Sequence, residues 1–258
     1  MDTMKLLVDL HVHGKRQGPG SVAQTRAAIA LTGLADRPGP LRIADIGCGT
    51  GASTLVLAHD LDADIAAVDF LPEFLVELRT RAQAAGLAAR ISTHAVAMDS
   101  LPFAEASLDA IWSEGAIYNL GFENGIRLWR PYLKPGGILA VSELTWLTNQ
   151  RPAELDQHWQ AAYPEVATAA TKIQALERHG YGLVGYFTLQ RECWMATYYR
   201  PLQERFAGFL AAHHFSDAAK SLVAEEEREI ALYQRYQDFV SYGFYIARRV
   251  EPTSQTDS

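Results

Sequence analysis

The segment Asp45-Ile46-Gly47-Cys48-Gly49-Thr50-Gly51 sets three glycines at alternate positions directly after an apolar run. Glycine accepts positive φ and carries no Cβ, so Gly47, Gly49 and Gly51 allow a tight turn and the close approach of a ligand to backbone. A helix after such a turn directs unpaired N–H groups toward that ligand. The spacing is G-x-G-x-G, related to the G-x-G-x-x-G of dinucleotide turns but distinct from it. Two carboxylates, Glu114 and Glu143, follow two later apolar runs, where they could hold a cation or accept a proton. Tyr118 and Asn119 lie just beyond Glu114, and Trp146, Trp159, Trp194, Tyr198 and Tyr199 offer an aromatic pocket. No metal site is expected. The cysteines are Cys48 and Cys193 alone, His11 and His13 lack nearby acidic or thiolate ligands, and the adjacent His213 and His214 point apart on a helix. The run Glu225-Glu226-Glu227-Arg228-Glu229 reads as a solvated helical face.

Alternating elements must position these groups. Strands are expected over residues 41–46, 65–69, 91–95, 108–112 and 138–143, with helices after Ser21 and over residues 52–59, 72–85 and 122–132. Ser21 suits an N-cap, Pro72 a first helical turn, and residues 134–137 a turn into the fifth strand. Residues 144–179, with Pro152, Pro164 and scattered aromatics, suggest a cap of short helices. Beyond it, a strand over 180–190, helices over 194–212 and 216–238, and a closing strand over 242–250 complete the chain. The expectation is a single α/β domain over residues 1–258. It is Rossmann-like and doubly wound, with a mostly parallel sheet, an antiparallel edge strand, a helical cap and an N-terminal segment over residues 1–37. Residues 251–258 read as a solvated tail.

The glycine turn resembles motif I of the class I S-adenosylmethionine-dependent methyltransferases. Three further segments resemble that family in its order: Asp69 at the end of the next strand, Met98-Asp99-Ser100-Leu101-Pro102-Phe103, and Lys134-Pro135-Gly136-Gly137-Ile138-Leu139. The segment Arg16-Gln17-Gly18-Pro19-Gly20-Ser21 is similar to one carried by a bacterial small-molecule subgroup, and the likeness runs from about His11 to Val250. This resemblance implies S-adenosylmethionine as cofactor and S-adenosylhomocysteine as product. Asp45, Gly47, Gly49 and Gly51 would form the cradle, and Asp69, with Phe70 beside it, would take the ribose hydroxyls. Met98 would pack on adenine and Asp99 would accept from its amino group. The family's usual acid aligns instead with Ala97. Arg16 and Gln17 would close over the site, Arg16 facing the cofactor carboxylate or an anionic substrate. Glu114 is expected to orient the methionine end, hold a cationic acceptor or take its proton, with Glu143 in the matching place one strand on. Tyr118, Asn119, Trp146, Tyr198 and Tyr199 would meet the acceptor.

Composition narrows the alternatives. The chain has 258 residues, 48% hydrophobic and 21% charged, enough for a full core. A formal charge of −7 and the lack of a Lys/Arg run argue against a nucleic-acid partner. The apolar stretch at residues 6–10 is too short for a signal peptide and no segment approaches a membrane span, so a cytoplasmic location is expected. A homo-oligomer is compatible with the sequence. Methyl transfer to a small-molecule acceptor is the favoured function. An enzyme that remodels S-adenosylmethionine, a non-catalytic protein that binds it, and a nicotinamide-dependent oxidoreductase are the rivals.

Overall fold

Strands buried on both faces carry continuous apolar runs, and β1 (Leu41–Ile46) is buried at every position except Arg42. A computed structural model describes residues 3–251; the expected solvated tail lies outside the described residues apart from Glu251, which is exposed. β1 pairs in parallel with β2 (Ala63–Asp69) on one side and β4 (Leu108–Glu114) on the other, and β2 pairs with β3 (Ile91–Ala95). β4 continues to β5 (Leu133–Trp146), β8 (Val240–Arg249) and β7 (Tyr181–Thr188), giving the order β3-β2-β1-β4-β5-β8-β7, while the short β6 (Ala167–Thr168) pairs with the end of β5. The chain returns from β3 at one edge to β4 at the centre. This reversal opens a crevice beyond the carboxyl ends of β1 and β4, where ligands bind in open α/β sheets.

Helices cover both faces. α1 (Thr3–His11), α2 (Val22–Thr32), α3 (Ala52–Asp60), α9 (Arg200–Ala212) and α10 (Asp217–Tyr236) contribute to one core with Trp112 and Trp194 at its centre. α5 (Phe122–Trp129) and α7 (Ala169–Arg178) contribute to a second core around Trp129. A smaller cluster forms where Leu75 and Leu78 of α4 (Pro72–Ala84) meet Ala67 of β2. Full burial of a side chain such as Leu57, at 0% exposure, contributes about 2 kcal/mol. Ser21 caps α2 as expected, its Oγ accepting from the Gln24 N–H at 3.2 Å.

The structure alters several expected elements. α1 forms where only an apolar stretch was evident. The helix expected over 122–132 ends at Trp129 and gives way to a 3-10 turn, Arg130–Tyr132, because Pro131 cannot continue an α-helix. β5 extends to Trp146 because β8 pairs along it to Val240. Residues 144–179 therefore begin as strand. The rest forms a crossover in which α6 (Ala153–Ala162) overhangs the crevice while α7 packs on β7 and α5. The expected antiparallel edge is present as a pair: β8 runs antiparallel to β5, and the edge strand β7 runs antiparallel to β8. Between α8 (Arg191–Trp194) and α9 the helix widens into a π turn, Met195–Tyr199.

Candidate functional site

The crevice is a single cleft of 760 Å³. One end is built from the carboxyl ends of β1 and β2. Gly47 and Gly49 line it with φ of +70° and +54°, which favour glycine. A Cβ on Gly47 would lie 2.2 Å from the Ala116 Cβ, and one on Gly49 would lie 2.4 Å from the Gln17 Oε1. Asp69 ends β2 with both oxygens engaged by backbone: Oδ2 accepts from the Gly49 N–H and Oδ1 from the Leu71 N–H, each at 2.9 Å. Burial pushes its carboxyl up, and those N–H groups oppose the shift. Each oxygen keeps a further lone pair. Phe70, Met98 and Asp99 line the same end; Phe70 is 69% exposed, and the Met98 carbonyl accepts from the Trp129 indole at 2.9 Å.

The N-terminal segment straps this end. Gln17 donates through Nε2 to the carbonyls of His11 and Gly14 and accepts through Oε1 from the Thr50 N–H at 3.0 Å. Arg81 of α4 reinforces the strap by donating to the Gly14 carbonyl and to the Thr50 hydroxyl. Arg16 reaches Glu114 at the end of β4, Nη1 to Oε2 at 2.8 Å, with the side chains 10% and 6% exposed. Glu114 Oε1 also accepts from the Thr25 hydroxyl at 2.7 Å and the Trp112 indole at 2.9 Å. One carboxylate thus joins the strap, α2 and β4 while lining the cleft.

The other end is aromatic and acidic. Tyr118 and Asn119 line it after β4, with Trp159 and Tyr163 from around α6, Trp194 and Tyr198 from around the π turn, and Tyr242 from β8. Sequence reasoning missed Tyr163 and Tyr242 here, together with His11 from α1 and Glu226 and Glu229 from α10. The run 225–229 is not a uniformly solvated face, since Glu226 is only 15% exposed in its side chain. The signal was available. Ala219, Leu222, Val223, Ile230 and Tyr233 form the buried stripe of α10, and positions 226 and 229 fall on the same stripe at helical spacing.

Five expected site residues lie outside the cleft lining. Asp45 is buried beneath the glycine turn, its Oδ2 accepting from the hydroxyls of Ser53 at 2.8 Å and Thr54 at 2.6 Å. Its pKa is pushed up to about 7 by burial, against the pull of those hydroxyls. Gly51 clears space for Leu78, which a Cβ there would meet at 2.1 Å. Glu143, in mid-sheet on β5, is 3.7 Å from the equally buried Lys172. Burial pushes the Glu143 pKa up to about 7 and lowers that of Lys172, each opposed by the partner's charge. Trp146 packs under Arg151, whose guanidinium carbon is 4.2 Å from the ring centroid. Tyr199 is fully buried, and its hydroxyl donates to Glu229 Oε1 at 2.8 Å.

A family described as "Methyltransferase domain" matches residues 43–137, the stretch that holds the glycine turn, Asp69, Met98 and Glu114. Over that stretch the chain is similar to methyltransferase domains. Trans-aconitate 2-methyltransferase of Yersinia pseudotuberculosis is 26% identical over 195 residues, 69% of each chain. The first two curated relatives are matched over 27% and 37% of their own lengths. A methyltransferase from Geobacter sulfurreducens, solved with S-adenosylhomocysteine, superposes with a TM-score of 0.80 at 18% identity, covering 94% of this chain and 97% of that one. The cyclase SpnF superposes at 0.74 with 21% identity, covering 97% and 94%. These likenesses establish the methyltransferase fold; the reaction depends on the groups in the cleft. Those groups fit the nucleoside cofactor of this domain class. Gly47 and Gly49 leave a cradle that a Cβ would fill, Asp69 offers two oriented oxygens, and Met98 offers an apolar face.

Proposed function

We propose that this protein transfers a methyl group from S-adenosylmethionine to a small molecule held in the same cleft, leaving S-adenosylhomocysteine. The observation that carries this reading is the continuity of the cleft: a nucleoside cradle at one end opens onto an aromatic, acidic chamber at the other. When bound, S-adenosylmethionine supplies an electrophilic methyl carbon on a cationic sulfur. The protein's part is to hold, align and exclude water, which is where the rate gain for such a displacement arises. Asp69 would take the ribose hydroxyls, Gly47 and Gly49 would admit the cofactor to backbone contact, and Met98 with Asp99 would frame the adenine. Glu114, locked by Arg16, Thr25 and Trp112, presents a fixed negative charge between the two ends. The strap closes over the cradle, and α6 overhangs the chamber. Tyr118, Asn119 and Tyr198 would meet the acceptor. The buried free thiols of Cys48 and Cys193 suit a reducing cytoplasm.

Calorimetric titration tests the cofactor: S-adenosylhomocysteine should bind and NAD should not. Incubation with methyl-labelled cofactor and small-molecule extracts tests the reaction. Label should leave the cofactor and enter an acceptor, and label retained in a cofactor-derived product would defeat simple transfer.

A further inference from the structure

Glu226 and Glu229 stand one turn apart on α10 and both line the chamber. His11 faces Glu226, Nε2 to Oε1 at 3.4 Å; it is 5% exposed, lines the cleft, and its Nδ1 has no hydrogen-bond partner. Tyr199 orients Glu229 through its hydroxyl. Among the described residues lining the cleft, Arg16 is the one Lys or Arg, and Glu114 already pairs with it. Burial pushes the Glu229 carboxyl up and the charge of Glu226 adds to this, while the Tyr199 hydroxyl and His11 pull it back down. Two like charges in a half-buried chamber repel each other unless a cation is placed between them. The neighbouring walls are the rings of Tyr118 and Tyr198, whose faces attract cations.

We propose that the acceptor is an amine, its ammonium head received by Glu226 and Glu229 against Tyr118 and Tyr198. This inference rests on the methyl-transfer reading and assigns its substrate class. A carboxylate acceptor would meet like charge. An alcohol would have to develop negative oxygen beside two carboxylates. An ammonium instead gains from both and needs only to lose a proton. That proton passes to a carboxylate oxygen of Glu226, where His11 Nε2 can share it. The freed nitrogen lone pair then bonds to the methyl carbon as the carbon–sulfur bond breaks, and that bond's electron pair goes to sulfur. The products are an N-methylammonium and a neutral thioether, so the single positive charge is conserved.

Trp159 and Trp194 line the chamber and report on occupancy by fluorescence. The protein saturated with S-adenosylhomocysteine is titrated with 2-phenylethylamine, 2-phenylethanol and 3-phenylpropanoate. The amine should bind at least tenfold more tightly than the alcohol, and the carboxylate most weakly. Glu226→Gln with Glu229→Gln should erase the preference while leaving S-adenosylhomocysteine affinity within twofold. Glu226→Gln alone should reduce the preference several-fold, and serves if the double variant does not fold. An alcohol or carboxylate binding as tightly as the amine, no amine binding at all, or a preference that survives both substitutions would overturn the proposal. With labelled cofactor the two readings separate. Amine preference without label in any acceptor sinks methyl transfer and leaves the amine site standing. Label entering alcohols or carboxylates but not amines does the reverse.

Discussion

Removing the Glu114 carboxylate should destabilise the whole domain, because it serves as a strut as well as a cleft charge. Its side chain is 6% exposed and faces an Arg16 side chain that is 10% exposed, at 2.8 Å. Taking one partner from a buried pair leaves the other charge uncompensated, at a cost of about 3–5 kcal/mol. Glu114→Ala also strands the Trp112 indole and the Thr25 hydroxyl, so its loss should sit at the upper end, about 5 kcal/mol. Glu114→Gln can keep Oε1 as their acceptor but turns an amide toward Arg16, and should cost about 3 kcal/mol. For a chain of this size each kcal/mol moves the melting midpoint by about 2–4 °C, so Glu114→Gln should melt about 10 °C lower. Arg16→Met alone should also cost about 3 kcal/mol, and the two changes together about 4 kcal/mol rather than the roughly 6 kcal/mol of simple addition, a coupling of about 2 kcal/mol in a double-mutant cycle. Denaturant unfolding of the four proteins provides the measurement. A Glu114→Gln variant melting within 2 °C of the parent, or losses that simply add, would show that the carboxylate is no strut.

Three further outcomes follow from the geometry. Gly49→Ala should abolish measurable S-adenosylhomocysteine binding by calorimetry and lower stability by about 1–3 kcal/mol, since its φ is +54° and its Cβ would meet Gln17 at 2.4 Å. Asp69→Ala should weaken that binding by about 1.5–3 kcal/mol for each ribose hydrogen bond lost, and unchanged affinity in a folded variant would remove Asp69 from the ribose site. Asp45 has a folded pKa of about 7 against 3.8 for the free group, so the folded state binds the extra proton between those values and stability falls as pH rises through that window. Asp45→Asn removes this slope. Its stability relative to the parent should improve by about 4 kcal/mol between pH 4 and pH 8, as read by denaturant unfolding at each pH.

The sheet was legible because strands buried on both faces are largely apolar, as β1 is apart from Arg42 and Asp45 and β5 is over residues 138–141, and because their ends carry turn residues. Gly47, Gly49 and Asp69 were legible for a related reason: a backbone that must accept positive φ and a strand end that must present an acid restrict residue type. Type alone did not tell which neighbour a residue serves. Gly51 has the spacing of the other two glycines, yet the atom it makes way for belongs to Leu78. Glu143 occupies the place after a strand expected to stop at residue 143, but the pairing of β8 carries β5 three residues further and leaves the carboxylate inside the sheet layer. Pro152 and Pro164 looked like breaks in a loose cap, whereas they bracket α6 within a crossover. The charge run on α10 hid two inward carboxylates, because its charged residue types masked the helical spacing that puts positions 226 and 229 on the buried stripe.

The π turn at Met195–Tyr199 has an evolutionary consequence. It sets two adjacent tyrosines to different tasks, Tyr198 toward the chamber and Tyr199 toward Glu229. A widened turn holds one residue more than the α-helix it interrupts. Deleting a single residue there would restore ordinary helix and rotate everything ahead of the turn relative to α9, replacing the chamber wall in one genetic event. The glycine turn and Asp69, on the far side of the cleft, would be untouched. In the proposed reading, acceptor choice can therefore drift by indel while the proposed donor site stays fixed, a route by which one scaffold supplies many catalysts.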